Sequence, residues 1–238
     1  MAVESIRSFG RTRSRTIKPN QAALLTEWLP RLSIKPDLSG LSAVAACFEE
    51  TWLEIGFGGG EHLAAQAAAH PNVLVLGAEP YINGVASALR HLKAADLSNV
   101  RLWSADGRTL MAALPDASLA RLFVLFPDPW PKRRQNKRRL VDASFVEAAA
   151  RLLKPGGLAR LATDWEAYAD QVLDTFNRSS QFAWTARCAR DWRRPPHDHV
   201  TTRYEQKGLG DIRPMWLEFQ RLSPAPAPPL RLAGSGAD

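Results

Sequence analysis

Cysteine is nearly missing from this chain: Cys47 and Cys188 are the only two among 238 residues. They lie far apart and make neither a disulfide framework nor a metal knuckle, so a reducing cytoplasm is the expected compartment. Long apolar runs are missing as well. No stretch approaches the roughly 18 residues a membrane helix needs, so no membrane partner is expected. The opening MAVESIRSFGRTRSR lacks the apolar segment of a secretory signal. Its Arg and Ser content is that of an organelle presequence, but Gly10 and Pro19 suit such an amphipathic helix poorly. No internal repeat is evident. Histidines number five, and His197-Asp198-His199 follows a Pro-Pro pair with no further ligand set, so it reads as a loop and no metal is expected.

What is abundant is positive charge, and it is unevenly placed. The net charge is +7 and the pI about 9.8. Between Thr51 and Trp130 there are seven acids and five bases, so the excess sits elsewhere. It falls in an N-terminal arm, a central run and the C-terminal third. Segregation of this kind favours a nucleic-acid footprint over a generally solvated basic surface.

Three parts are expected. Residues 1–18 carry Arg7, Arg11, Arg13, Arg15 and Lys18 against one acid, Glu4, and read as a flexible basic arm. Residues 19–222 form the folded domain. Residues 223–238, rich in Pro, Ala and Gly, read as a disordered tail. Within the domain a short helix is expected from Pro19 to Leu29. Strands are expected from Thr51, from Val73 to Glu79, from Val100 to Asp106, from Leu119 to Phe126 and from Leu158 to Thr163. Helices alternate with them at Glu61–His70, Ile82–Ala95, toward Leu114, at Asp142–Leu153 and at Trp165–Asn177. Lys154-Pro155-Gly156-Gly157 reads as a helix stop. Phe182–Arg187 and Trp216–Leu222 read as two final, antiparallel strands. The alternation argues for a doubly wound α/β fold with a mostly parallel seven-stranded sheet.

In such a sheet ligands sit beyond the carboxyl ends of the strands, at the topological switch point. The informative residues fall there. Gly56, Gly58 and Gly60 follow the first strand as G-x-G-x-G, letting backbone come close to a ligand. That turn alone is shared by NAD, FAD and S-adenosylmethionine sites. The acids decide between them: Glu54 precedes the turn, Glu79 ends the second strand and Asp106 the third. A pyrophosphate wants few negative neighbours. Carboxylates suit the ammonium, sulfonium and ribose hydroxyls of S-adenosylmethionine better.

The fourth strand delivers Phe126-Pro127-Asp128-Pro129-Trp130 and then a cationic run, Lys132 to Arg139. Prolines on both sides of Asp128 restrict its backbone, and Trp130 offers a stacking face. The run contains no acid, so self-repulsion is costly unless a polyanion arrives. PDPWPKRRQNKRR resembles the signature of the bacterial tRNA (guanine-N7-)-methyltransferase family. LEIGFGGG, GAEP, LKPGG, LATDW and Thr202-Arg203-Tyr204-Glu205 accompany it in family order, and the likeness runs from about Ile6 to Leu222. The tail has no counterpart.

The resemblance implies a class I, Rossmann-like fold, S-adenosylmethionine as cofactor, and tRNA as partner and substrate, methylated at the variable-loop guanine, position 46. No protein partner is called for. Carried over residue by residue, it implies that Glu54, Glu79, Asp106 and Asp128, with Gly56, Gly58 and Gly60, form the cofactor site. Asp128 would be the active-site residue. Lys132, Asp164, Thr202, Arg203, Tyr204 and Glu205 would touch substrate, and Arg134, Gln135, Asn136, Lys137, Arg138 and Arg139 would meet RNA. The alternatives are a methyltransferase for another RNA and a non-catalytic RNA-binding protein on the same fold.

Overall fold

Strands β1 (Glu50–Ile55), β2 (Val73–Ala78), β3 (Val100–Trp103), β4 (Leu119–Leu125), β5 (Leu153–Thr163), β6 (Phe182–Trp184) and β7 (Met215–Arg221) join in one sheet, in the order β3-β2-β1-β4-β5-β7-β6. The computed structural model describes residues 16–223, so most of the expected arm and all but Ser223 of the expected tail lie outside them. Pairing is parallel from β3 through β5; β7 runs antiparallel to both β5 and β6. The direction of winding reverses between β1 and β4, the switch point where a doubly wound sheet opens a crevice.

The helices are α1 (Pro19–Glu27), α2 (Leu29–Leu32), α3 (Leu41–Ala45), α4 (Glu61–Ala69), α5 (Ile82–Ala94), α6 (Gly107–Ala113), α7 (Ala143–Leu152), α8 (Glu166–Asn177) and α9 (Ala189–Arg193). Both sheet faces are covered, so central strands are apolar on both sides and every residue of β2 is buried. Alternation then sorts residues between two cores. Leu53, Leu74, Leu76, Leu122 and Val124 join Phe145 of α7 and Tyr168 of α8 in one. Trp52, Val73, Val75, Phe123 and Leu125 join Leu63 of α4 and Leu89 of α5 in the other. Glu54 lies between Leu53 and Ile55 in sequence and so faces the α4 side.

Several boundaries depart from the sequence reading: β3 ends at Trp103, and Asp106, expected to close that strand, caps α6 instead. The expected first helix breaks at Trp28, because Pro30 is placed in the first turn of α2. Lys154–Gly157 does not merely stop α7; it is a bulged start of β5. Leu153 pairs with Leu119, and the register shifts before Leu158 meets Arg121. A Cβ at Gly157 would sit 2.9 Å from the Lys154 carbonyl and 3.0 Å from that of Ala120, so this close backbone crossing requires glycine. β6 stops at Trp184, and the Asp191 carboxylate takes the amides of Arg187 and Cys188 to open α9.

Two arginines are structural. Arg139, expected to meet RNA, is buried at 5% exposure. It donates to the carbonyls of Pro129 (2.8 Å) and Ala167 (3.0 Å) and to Gln171 Oε1 (2.8 Å), and its guanidinium lies 4.9 Å from the Tyr168 ring. It ties the loop after β4 to α8 and cannot serve a phosphate. Arg160 on β5 is also buried and pairs with Asp198 (2.7 Å) and Glu218 (3.0 Å). Asp198 accepts from Arg121 at 3.4 Å too, and its own carbonyl accepts from Gln66 of α4 at 2.8 Å. This strap between α9 and β7 packs against α4 and β7, on the α4 side of the sheet.

Arg139→Ala should lower unfolding free energy by about 3 kcal/mol, since two carbonyls and an amide oxygen lose a buried donor. Urea denaturation checks this, and an unchanged midpoint would contradict it. Burial pushes the Asp198 carboxyl up, but Arg160 and Arg121 outweigh it and hold the group below its ordinary value of 3.8. Its folded value is depressed, so its stabilisation is complete above the unfolded value and is lost as pH falls through the folded one. Asp198→Asn should therefore flatten the acid limb of a pH–stability curve below about pH 4; an unaltered limb would refute that linkage.

Candidate active site

Two adjoining hollows open beyond the C-terminal ends of β1, β2 and β4, of about 1020 Å³ and 770 Å³. Both are bordered by Gly56, Tyr81, Phe126, Asp128, Tyr204 and Lys207. The glycine turn forms one wall. Gly56 and Gly58 hold φ of +75° and +53°, and a Cβ at either would meet no atom within 4 Å. The turn therefore leaves a cradle open for a ligand and lets the backbone approach it. Gly60 has a different role from the one expected. Its Cβ would overlap Ala88 of α5, so it is a packing glycine.

Glu79 anchors that turn. Its carboxylate accepts the Gly58 amide at 2.9 Å and the Tyr81 amide at 2.8 Å. It is 7% exposed, and burial pushes its carboxyl up, with the charges of Asp128 and Glu54 adding to the rise and the two amides opposing it. Glu54 is buried beside it and pairs with His62 Nδ1 at 2.8 Å. Asp106 borders the smaller hollow, caps α6 through the Arg108 amide (2.9 Å) and pairs with the Arg108 side chain at 2.7 Å. Its charge is thus already partly neutralised.

Asp128 is exposed and borders both hollows. The loop that carries it is bracketed by two left-handed residues, Phe126 at φ +52° and Trp130 at +43°. Non-glycine residues hold such conformations at a cost of roughly 1–3 kcal/mol each, and they cluster where a site needs a fixed geometry. Arg138 lies 4.9 Å above the Trp130 ring and borders the smaller hollow. Lys132, Arg134 and Lys137 point the charge of the run outward as exposed side chains, with Gln135 and Asn136 half-buried between them. Lys132 is not among the residues bordering either hollow.

The C-terminal segment supplies the opposite wall through Thr202, Arg203 and Tyr204. Glu205, expected to touch substrate, instead holds that wall in place. Its two oxygens meet His199 Nε2 at 2.9 Å each, and it accepts the Thr202 amide at 2.8 Å. Burial raises the Glu205 carboxyl, but the bonds from His199 and Thr202 leave it below its ordinary value. Asp164 is buried behind Tyr204, whose hydroxyl lies 3.5 Å from Asp164 Oδ1, and it borders neither hollow. Gly210 packs directly on it, and burial pushes its carboxyl up.

Sequence reasoning missed several contributors. Thr16, Lys18, Asn20 and Gln21 border the larger hollow, where the start of α1 meets α5. His62 and His199, whose rings stack 5.9 Å apart, join the Glu54 and Glu205 pairs into one block. His62 falls two residues after the last glycine, and that spacing is a readable signal; His199 has none.

Three carboxylates at successive strand ends, beside an open glycine cradle, fit a cationic ligand that bears ribose hydroxyls. S-adenosylmethionine meets that description: Glu54 suits its ammonium group, Glu79 its ribose hydroxyls and Asp106 its base. A methyltransferase family model, Methyltransf_4, matches residues 49–217. A tRNA (guanine-N(7)-)-methyltransferase of Hyphomonas neptunium is 50% identical over 218 residues, covering 90% of this chain and 99% of the relative. One from Caulobacter sp. strain K31 is 50% identical, covering 91% and 96%. Among solved structures, a 16S rRNA (adenine(1408)-N(1))-methyltransferase from Catenulisporales acidiphilia superposes with a TM-score of 0.55 at 20% identity, covering 80% of this chain and 95% of that one. That likeness is one of fold. The glycine turn, the strand-end carboxylates and the Asp128 loop thus sit in a sequence that belongs to the bacterial tRNA (guanine-N7-)-methyltransferase family.

Proposed function

We propose that this chain transfers a methyl group from S-adenosylmethionine to N7 of guanine in tRNA, at the variable-loop guanine, position 46, and does so in the cytoplasm. Relatives named tRNA (guanine-N(7)-)-methyltransferase, matched along nearly their whole length, support the reaction, and the methyltransferase family model supports the cofactor. No helix among the described residues is long and apolar enough to cross a membrane. The observation that carries the site assignment is the shared wall. Exposed Asp128 borders both hollows, at the seam between the carboxylate-lined donor side and the cationic run.

When bound, S-adenosylmethionine supplies a methyl group on an electrophilic sulfonium. Guanine N7 is a bare lone pair, so no proton need leave before attack and no general base is required. The protein's work is alignment, which can be worth roughly 7–11 kcal/mol. Glu79 and the Gly56–Gly58 turn fix the donor side. Tyr204 and Phe126, with rings 5.5 Å apart, border the seam. Asp128 answers the positive charge that moves onto the purine during transfer, stabilising the transition state more than the ground state. Its carboxylate also suits the guanine N1–H and N2 amino group, which adenine lacks in that arrangement. Arg134, Lys137 and Arg138 neutralise phosphates, and Arg139 beneath them sets the loop's position.

The direct test incubates the protein with labelled S-adenosylmethionine and unmodified tRNA, then maps 7-methylguanine by borohydride–aniline cleavage. One break at the variable-loop guanine is expected; unlabelled tRNA would overturn the reading. Asp128→Ala should lower turnover by about 100-fold or more while S-adenosylmethionine still binds, and near-normal turnover would remove Asp128 from the chemistry. Glu79→Ala should weaken S-adenosylmethionine binding by about 10- to 100-fold in calorimetry. Asp106→Ala should cost less, because Arg108 already neutralises that carboxylate. Equal affinities in all three proteins would contradict the assignment of the donor side.

A further inference from the structure

We propose that the arginine-bearing surface of α9 is a second contact for the RNA backbone, separate from the Lys132–Arg138 run. The inference rests on the tRNA reading above and extends it to a face of the molecule that reading leaves without a role. Arg187, Arg190, Arg193 and Arg194 fall within eight residues, and all four are exposed. Asp191 is the only acid in the stretch. Its carboxylate is engaged at the start of α9, accepting the amides of Arg187 (2.9 Å) and Cys188 (3.1 Å). Among the described residues, none of the four arginines forms a salt bridge. Such a cluster repels itself in the free protein and gains when phosphates neutralise it.

A purely solvated surface would need no fixed position, yet this one is held on both sides. Before it, the Thr185 amide donates to the Glu218 carbonyl of β7 at 3.0 Å. After it, Asp198 pairs with buried Arg160 at 2.7 Å, and His199 pairs with Glu205 at 2.9 Å. Within it, the Arg193 guanidinium lies 4.6 Å from the half-buried Trp192 ring. The arginines are therefore presented from a rigid mount, which lowers the entropy cost of binding.

The same anchors set where the surface stands. β7 is antiparallel to both β5 and β6, so β6 runs parallel to β4 and β5. Trp184, the last residue of β6, is level with Phe219 of β7, Ala159 of β5 and Leu122 of β4, so the segment toward α9 leaves from the middle of the sheet and heads toward the edge at which the β4 loop presents Asp128 and the cationic run. β4 and β6 are three strand positions apart, about 14 Å at the usual spacing. A single folded RNA reaches both. The strap that carries α9 continues straight into Thr202–Tyr204, the cavity wall, so a backbone held at α9 has a fixed offset from the reacting guanine.

The test is a triple replacement, Arg190→Ala, Arg193→Ala and Arg194→Ala, against a triple lysine replacement at the same positions. Binding of unmodified tRNA is measured across a salt series, with methylation kinetics beside it. The alanine protein should flatten the slope of log affinity against log salt by about 2 and raise KM for tRNA roughly tenfold. Its turnover at saturating tRNA and its S-adenosylmethionine affinity should match the wild type, and the lysine protein should retain the wild-type slope. Should the alanine protein melt early, single Arg194→Ala, beyond the end of α9, reads the same slope with an expected change of about 1. A wild-type slope and KM in the alanine protein, with wild-type methylation intact, would overturn the second contact. Absent wild-type methylation with an α9-dependent slope would instead sink the proposed reaction and leave this contact standing.

Discussion

One buried carboxylate holds the cavity together. Glu79 takes the amide of Gly58 from the glycine turn and that of Tyr81 from the entry to α5, so the end of β2 fixes two loops at once. Burial resists ionisation there and two amides favour it. The balance places a half-satisfied acceptor at the rim of a hollow, beside a turn in which Gly56 and Gly58 leave open space. The parallel sheet makes this possible. It stops β1, β2 and β4 along one edge, so residues distant in sequence, Glu54, Glu79 and Asp128, share a wall.

The electrostatics reverse across that wall. Inside stand Glu54 and Glu79, whose charges oppose one another. Around the rim stand Arg90, Arg203, Lys207 and Arg138. Beyond it are the exposed Lys132, Arg134 and Lys137. A cationic donor is favoured within and a polyanion without, and Asp128 sits where the two meet. Rigidity at that seam comes from less obvious groups. Arg139 pins the β4 loop to α8, while the His199–Glu205 and Arg160–Asp198 pairs pin the opposite wall to the sheet.

The fold was legible because burial on both faces of the sheet writes apolar strands, and Gly, Pro and capping Asp residues punctuate them. The strand-end acids were legible for the same reason, since a charge closing an apolar run has few structural uses. What stayed hidden depends on tertiary packing. Arg139 is one cation among six in its run, and only α8 behind it makes it a core residue. Gly60 reads as part of a ligand turn, but Ala88 decides its role. Glu205 and Asp164 carry the residue types of a binding site, yet one holds a wall and the other lies behind Tyr204. Lys154–Gly157 has every mark of a helix stop, and only its pairing with β4 turns it into a strand.

The central claim is that the site positions a lone pair and removes no proton. It is tested most directly with tRNA transcribed so that 7-deazaguanine replaces guanine, which removes N7 and leaves the Watson–Crick edge unchanged. Affinity for this RNA should match that of the ordinary transcript, and methyl transfer should vanish while the ordinary transcript gains 7-methylguanine. Methyl transfer to the deaza transcript at a comparable rate would place the chemistry on another atom and contradict the account.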